Sequence, residues 1–176
     1  MAVLEIVHYG NPILRKKCKP VKDPLSIESI IDDMFDSMYE AEGIGLAANQ
    51  VGLDMNLFII DVTHTEEAED THIFINGTIV ATDGDDKVFQ EGCLSMPGIA
   101  LDVIRPEKVT LKYQGIDGEW HEKEFEGLLG RAIQHEMDHL NGIVLTIVKI
   151  WYVHHQLLLG QMSKIYFCQY TNFFVV

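Results

Sequence analysis

Three residues in the run "QHEMDHLNGI" (134–143) have the types and spacing to do chemistry: His135, Glu136 and His139. On a helix, residues i and i+4 lie one above the other on the same face. The two imidazoles can therefore grip one metal ion, with Glu136 beside it as a proton shuttle. Two ligands leave the ion under-coordinated, so the chain must be searched for a third. One type of zinc protease recruits a downstream carboxylate, but no Asp or Glu follows Asp138. Another extends the motif to a third histidine, and here that position is Leu145. His154 and His155 remain as candidates with no motif around them.

Cys93, in "QEGCLSMPG" (90–98), is the better third ligand. The competing reading is a buried free cysteine, which is common. A thiolate nevertheless suits a borderline divalent ion already held by two imidazoles. A Cys/His/His set leaves a tetrahedral position open to water, which is the arrangement of a catalytic site. A further stretch, "EGIGLAANQ" (42–50), has glycines that let backbone approach a ligand closely, and Gln50 is a neutral donor for a developing oxyanion. The glycines alone read equally well as a helix end running into a packed element.

The elements that must position these groups follow from periodicity. Asp23-Pro24 predicts an N-cap and first helical residue. Ile27, Ile30, Ile31, Met34 and Met38 then recur at helical spacing up to a stop at Gly43. Short β-like runs follow at 56–62 and 71–82, separated by the polar loop "THTEEAED". Val109, Leu111 and Tyr113 alternate into a turn at "GIDG" (115–118) and return through "EWHEKEF", a hairpin signature. The metal helix runs from near Gly127 to Asn141, with Gly142 as its C′ residue. Strands in a run between helices predict an α+β fold, with antiparallel β-sheets packed around a central metal-binding helix and an N-terminal helix.

The 176 residues predict a single domain over 1–176, with no internal repeat or linker. A net charge of −14 argues against nucleic-acid binding and against adsorption on anionic lipid. Cys18, Cys93 and Cys168 are too few and scattered for a disulfide framework. With no signal-peptide pattern in "MAVLEIVHYG", these features predict a cytoplasmic protein and no membrane partner.

Together "GIGLAANQ" (43–50), "EGCLS" (91–95) and "HEMDHL" (135–140) resemble, in order and spacing, the three motifs of the peptide deformylase family. "YGNPILRKKC" and the Arg105-Pro106 pair add to the likeness, which covers about residues 3–145. The resemblance implies hydrolysis of the N-formyl group from formylmethionine at the start of new proteins, releasing formate. By motif, Cys93, His135 and His139 bind one divalent ion, Fe(II) natively, with Zn, Ni or Co able to replace it. Glu136 is implied as general base and then general acid. Gln50 and the backbone N–H of Leu94 are implied as oxyanion donors, and the backbones of Ile44, Gly45 and Gly92 as a ledge that aligns the peptide as an added strand. The partners implied are nascent formylmethionyl polypeptides, in transient proximity to the ribosome.

Two helix residues lie outside this chemistry. Asp138 is expected to anchor the helix to a partner such as Arg105, whereas Arg131 fits a solvated surface charge as well as any internal role. The tail departs from the family. From Asn141 onward the only charges are Lys149 and Lys164, and seven of the sixteen aromatics lie there. Residues 146–176 form an atypical apolar tail, too interrupted to span a membrane. Ile143–Val153 is expected to pack on the core as a strand or helix, and the later aromatics to cover a dimer contact or the domain's flank.

Overall fold

The computed structural model describes residues 2–65, 70–145 and 174–175. Helix α1 spans Glu28–Glu40 and α2 spans Gly127–Leu140. Six strands belong to one sheet: β1 (Gly45–Ala47), β2 (Leu57–Ile60), β3 (His72–Gly92), β4 (Ala100–Gln114), β5 (Trp120–Phe125) and β6 (Phe174–Val175). β1 to β5 are antiparallel neighbours in chain order, and β6 pairs in parallel with the end of β3. The α+β expectation holds, with the strands joined in one sheet and β6 its single parallel pairing among the described residues.

β2 explains how the sheet holds both helices. Its four residues are all buried, and consecutive side chains point to opposite faces. Leu57 and Ile59 join Ile31, Met34 and Met38 of α1 in one core cluster. Phe58 and Ile60 join Ala132, Ile133, Met137 and Leu140 of α2 in the other. The sheet is thus held between α1 and the metal helix. Burying one such aliphatic or aromatic side chain contributes about 1.5–3 kcal/mol.

The C-terminal end of α2 is closed by a turn and held by neighbouring segments. Its last turn closes with Gly142 N–H donating to His139 O (3.0 Å) and Ile143 N–H to Asp138 O (2.9 Å). This is a Schellman close, which needs the left-handed φ of +74° found at Gly142. A Cβ there would also lie 2.7 Å from the Arg15 carbonyl carbon. Cys18 N–H donates to Leu140 O at 2.8 Å, and Asn49 Nδ2 donates to His139 O at 2.6 Å. The chain around residues 15–18 and the turn at 48–51 therefore clamp the C-terminal half of the metal helix.

Two sequence expectations are corrected. Asp23 does cap Pro24, accepting from Leu25 N–H at 3.2 Å, but this opens a separate 3-10 turn and α1 begins at Glu28. β3 does not stop at 82: it continues to Gly92 as a long ribbon with β4, through register shifts at Ile75/Thr78, Ile79/Ala81 and Asp83/Asp86. The predicted hairpin is present, with Gly118 at φ +80° and Asp117 Oδ1 accepting from Glu119 N–H at 3.0 Å. At the start of the tail, Val144 and Leu145 are buried as expected. The expectations for residues 146–153, the later aromatics, His154, His155 and Cys168 lie outside the described residues.

Candidate active site

The end of β3 delivers Cys93 to the metal helix. Its Sγ lies 3.2 Å from His139 Nε2, and the ligand atoms of Cys93, His135 and His139 all lie within 4.8 Å of one another. All three residues are buried. Their polar atoms are poorly matched to each other alone: His135 Nε2 and His139 Nδ1 have no hydrogen-bond partner. Burial pushes the Cys93 thiol up to about 12, with the charges of Glu136 and Glu91 adding to the rise. It drives His139 well below the ordinary histidine value, with His135 adding to the fall. A buried thiol beside two buried imidazoles, each with an unpaired ring nitrogen, is costly unless a cation draws them together. The donor set therefore fits a transition-metal ion.

Glu136 is fully buried, and neither carboxylate oxygen has a hydrogen bond of good geometry. Burial raises its pKa well above the ordinary glutamate value; Arg105 and the Ala47 N–H, itself committed to Gln50, oppose the rise. A nearby cation shifts such a group back toward the carboxylate.

Gln50 sits on the same cluster from the other side. Its Oε1 accepts from Ala47 N–H at 2.8 Å, which turns Nε2 toward Cys93 Sγ (3.7 Å) and Ser95 Oγ (3.4 Å). Val7 N–H donates to Gln50 O at 2.8 Å and Tyr9 N–H to Ser95 O at 2.9 Å, so the N-terminal segment ties both motifs down. A Cβ on Gly43 would meet Leu94 Cδ1 at 2.8 Å, so the two motifs adjoin where that glycine lies. Ile44, buried, accepts from Asp61 N–H at 2.9 Å, and Gly45 opens β1 opposite Ile60. Leu94 is buried directly after Cys93, and Gly92 directly before it closes β3 against Ala100.

Sequence reasoning passed over Glu91. It is almost fully buried and accepts a bidentate pair from Arg105 Nε (2.8 Å) and Nη2 (2.9 Å), while His135 Nδ1 sits 2.9 Å from its Oε2. That contact leaves His135 Nε2 as the nitrogen available to a metal. Burial alone would raise Glu91, but hydrogen bonds from His135 and Arg105 outweigh it and hold the carboxyl far below the usual range. Arg105 Nη1 also reaches Asp138 Oδ2 at 2.9 Å, the predicted anchor. Arg131 is not a solvated charge: Nε is 2.8 Å from Glu91 Oε1, though off hydrogen-bond alignment, and Nη2 donates to Val103 O. Its guanidinium carbon lies 4.9 Å from the centre of the Phe89 ring. Two carboxylates and two guanidiniums thus form a network behind one candidate ligand, with Glu91 and Arg105 buried and Asp138 and Arg131 partly exposed. The available signal was Glu91's place two residues before Cys93, which puts both on one face at the strand end.

Comparison with known proteins agrees with this geometry. The family model described as polypeptide deformylase matches residues 3–149. The peptide deformylase of Acidobacterium capsulatum is 43% identical over 165 residues, spanning 93% of this chain and 96% of its own. The crystal structure of a peptide deformylase from Synechococcus elongatus in complex with actinonin is 38% identical, with a TM-score of 0.79 over 89% of this chain and 88% of that one. A Met-Ala-Ser-bound class I type b peptide deformylase from Acinetobacter baumannii is 31% identical, with a TM-score of 0.78 over 84% of this chain and 98% of that one. The chain belongs to the polypeptide deformylase family, metal-dependent hydrolases that remove the N-formyl group from newly made proteins.

Proposed function

We propose that the chain carries out this hydrolysis with Cys93, His135 and His139 as the metal ligands and Glu136 as the proton carrier. The observation that carries the reading is the buried, unpaired Glu136 carboxylate one residue from His135, beside three ligand atoms within 4.8 Å of one another. A divalent ion held by this set supplies Lewis acidity, acidifying water and polarising the formyl oxygen. Glu136 takes a proton from the attacking water and later gives it to the amine nitrogen as the C–N bond breaks, leaving formate and a free α-amino terminus. Gln50 Nε2 and the Leu94 backbone N–H donate to the formyl oxygen as it gains negative charge. The backbones of Ile44, Gly45 and Gly92 hold the peptide as an added strand. Fe(II) is the native ion that family membership implies, replaceable by Zn, Ni or Co, and thiolate with two imidazoles suits such borderline ions.

The substrates are formylated nascent polypeptides, so the chain works near the ribosome and in the cytoplasm. No helix of the described residues is long and apolar enough to cross a membrane. The net charge of −14 supports a role without direct nucleic-acid binding. Residues 1–176 form one domain, and the later aromatics of the apolar tail cover a dimer contact or the domain's flank. Size-exclusion with light scattering on the full chain tests the dimer, which a monomeric mass refutes.

Formate release from formyl-Met-Ala-Ser tests the reaction. The metal-loaded chain releases stoichiometric formate, and Glu136→Ala abolishes release while retaining the metal. Metal loss in Glu136→Ala equal to that in His135→Ala would make Glu136 a ligand and overturn its role.

A further inference from the structure

β6 offers an observation the reaction does not use. Phe174 pairs with Glu91 and Val175 with Gly92, in parallel, at the residues immediately before Cys93. A strand has two hydrogen-bonding edges. At Glu91 and Gly92 one edge is taken by β4, through Leu101 and Ala100, and the other by β6. A peptide that adds as a strand at Gly92 therefore has only the β6 edge open to it.

We infer that the segment Phe174–Val175 occupies the substrate's strand position at Gly92 and that formylated peptides must displace it. This rests on the reading that Gly92 aligns the substrate backbone. The occupant is a segment of this chain, and its backbone supplies the same donors and acceptors as any peptide. A pairing of two residues is short, and strands of this length are marginal alone, so the segment competes without blocking turnover. Where only the open fraction binds, the apparent constant rises by the inverse of that fraction. The segment therefore raises the apparent constant of every peptide that pairs at Gly92 by the same factor.

The test uses the full chain, loaded with zinc. Val175→Pro removes a backbone donor from β6 and disfavours the strand. The KM for formyl-Met-Ala-Ser is expected to fall about three- to tenfold, with kcat changed less than about twofold. An unchanged or raised KM overturns the inference. A second measurement, hydrogen exchange at the Phe174 and Val175 amides with saturating Met-Ala-Ser, keeps the proposal decidable if the proline variant folds poorly. Faster exchange on peptide binding supports displacement; unchanged exchange in the peptide-bound chain overturns it. If the unaltered chain releases no formate at all, the hydrolase reading fails instead, and the exchange measurement still decides the strand competition.

Discussion

Replacing Glu91 with glutamine probes the network behind the metal helix. The native carboxylate, itself buried, meets the buried Arg105 at 2.8 and 2.9 Å, the partly exposed Arg131 at 2.8 Å and the buried His135 at 2.9 Å. Glutamine has nearly the same shape but one acceptor oxygen, and its amide nitrogen must face a guanidinium or the imidazole. Arg105 then keeps Asp138 as a carboxylate partner, whereas Arg131 keeps backbone carbonyls such as Val103 O. Removing one member of a buried pair costs about 3–5 kcal/mol, and the retained oxygen places Glu91→Gln near about 3 kcal/mol. For a chain of this size that lowers Tm by roughly 6–12 °C. The assay is thermal unfolding of the metal-free chain, so that metal binding adds nothing to the difference. Because the folded carboxyl is held below the ordinary 4.5, its contribution is fully present above that pH and is lost as pH falls through the folded value. The gap between the two proteins is therefore full at pH 7 and narrows in acid. Metal affinity should weaken about 10–100-fold, since His135 loses the carboxylate that orients it. A Tm within about 2 °C of the unaltered chain at pH 7 would refute the reasoning.

Other outcomes follow from single contacts. Gln50→Leu should lower kcat about 10²–10³-fold with metal content unchanged; undiminished formate release would remove Gln50 from the reaction. Gly142→Ala places a Cβ at φ +74° and 2.7 Å from the Arg15 carbonyl carbon, and should cost at least about 1–2 kcal/mol by denaturant titration; no loss would mean the clamp on α2 is loose. The Cys18 thiol is pushed from 9.0 up to about 11, by burial first and then by Asp54. Its stabilisation is complete below pH 9 and lost as pH rises through 11, so Cys18→Ala should flatten the alkaline loss of stability of the metal-loaded chain. An alkaline profile identical in the two proteins would contradict that.

How far the sequence revealed these features depended on whether the causes were local. The metal helix was legible because its apolar period and Gly142 act within one turn of the residues they fix. The ligand set followed from motif order, and the hairpin from the Asp117-Gly118 turn. β3 was cut short because residues 80–89 are exposed on both faces, so no alternation marks them, and "DGDD" with Gly84 at φ +79° reads as a turn. The first half of β4 was hidden by Pro106, which pairs with Asp86 just past a register shift, where a missing N–H is tolerated. Glu91 and Arg131 were underrated because a lone charge reads as surface. Glu91's partners Arg105 and His135 lie 14 and 44 residues away, beyond any periodic signal. The start of α1 slipped because Asp23-Pro24 caps whichever helical turn follows, and here that turn is 3-10.

X-ray absorption of the zinc-loaded full chain tests the central claim, that Cys93, His135 and His139 together hold one ion. The account predicts one metal per chain with one sulfur at about 2.3 Å, two imidazole nitrogens at about 2.0–2.1 Å and one further light ligand. It also predicts that the sulfur shell is lost in Cys93→Ser. A spectrum without sulfur, or one with a second sulfur in place of an imidazole, would contradict it.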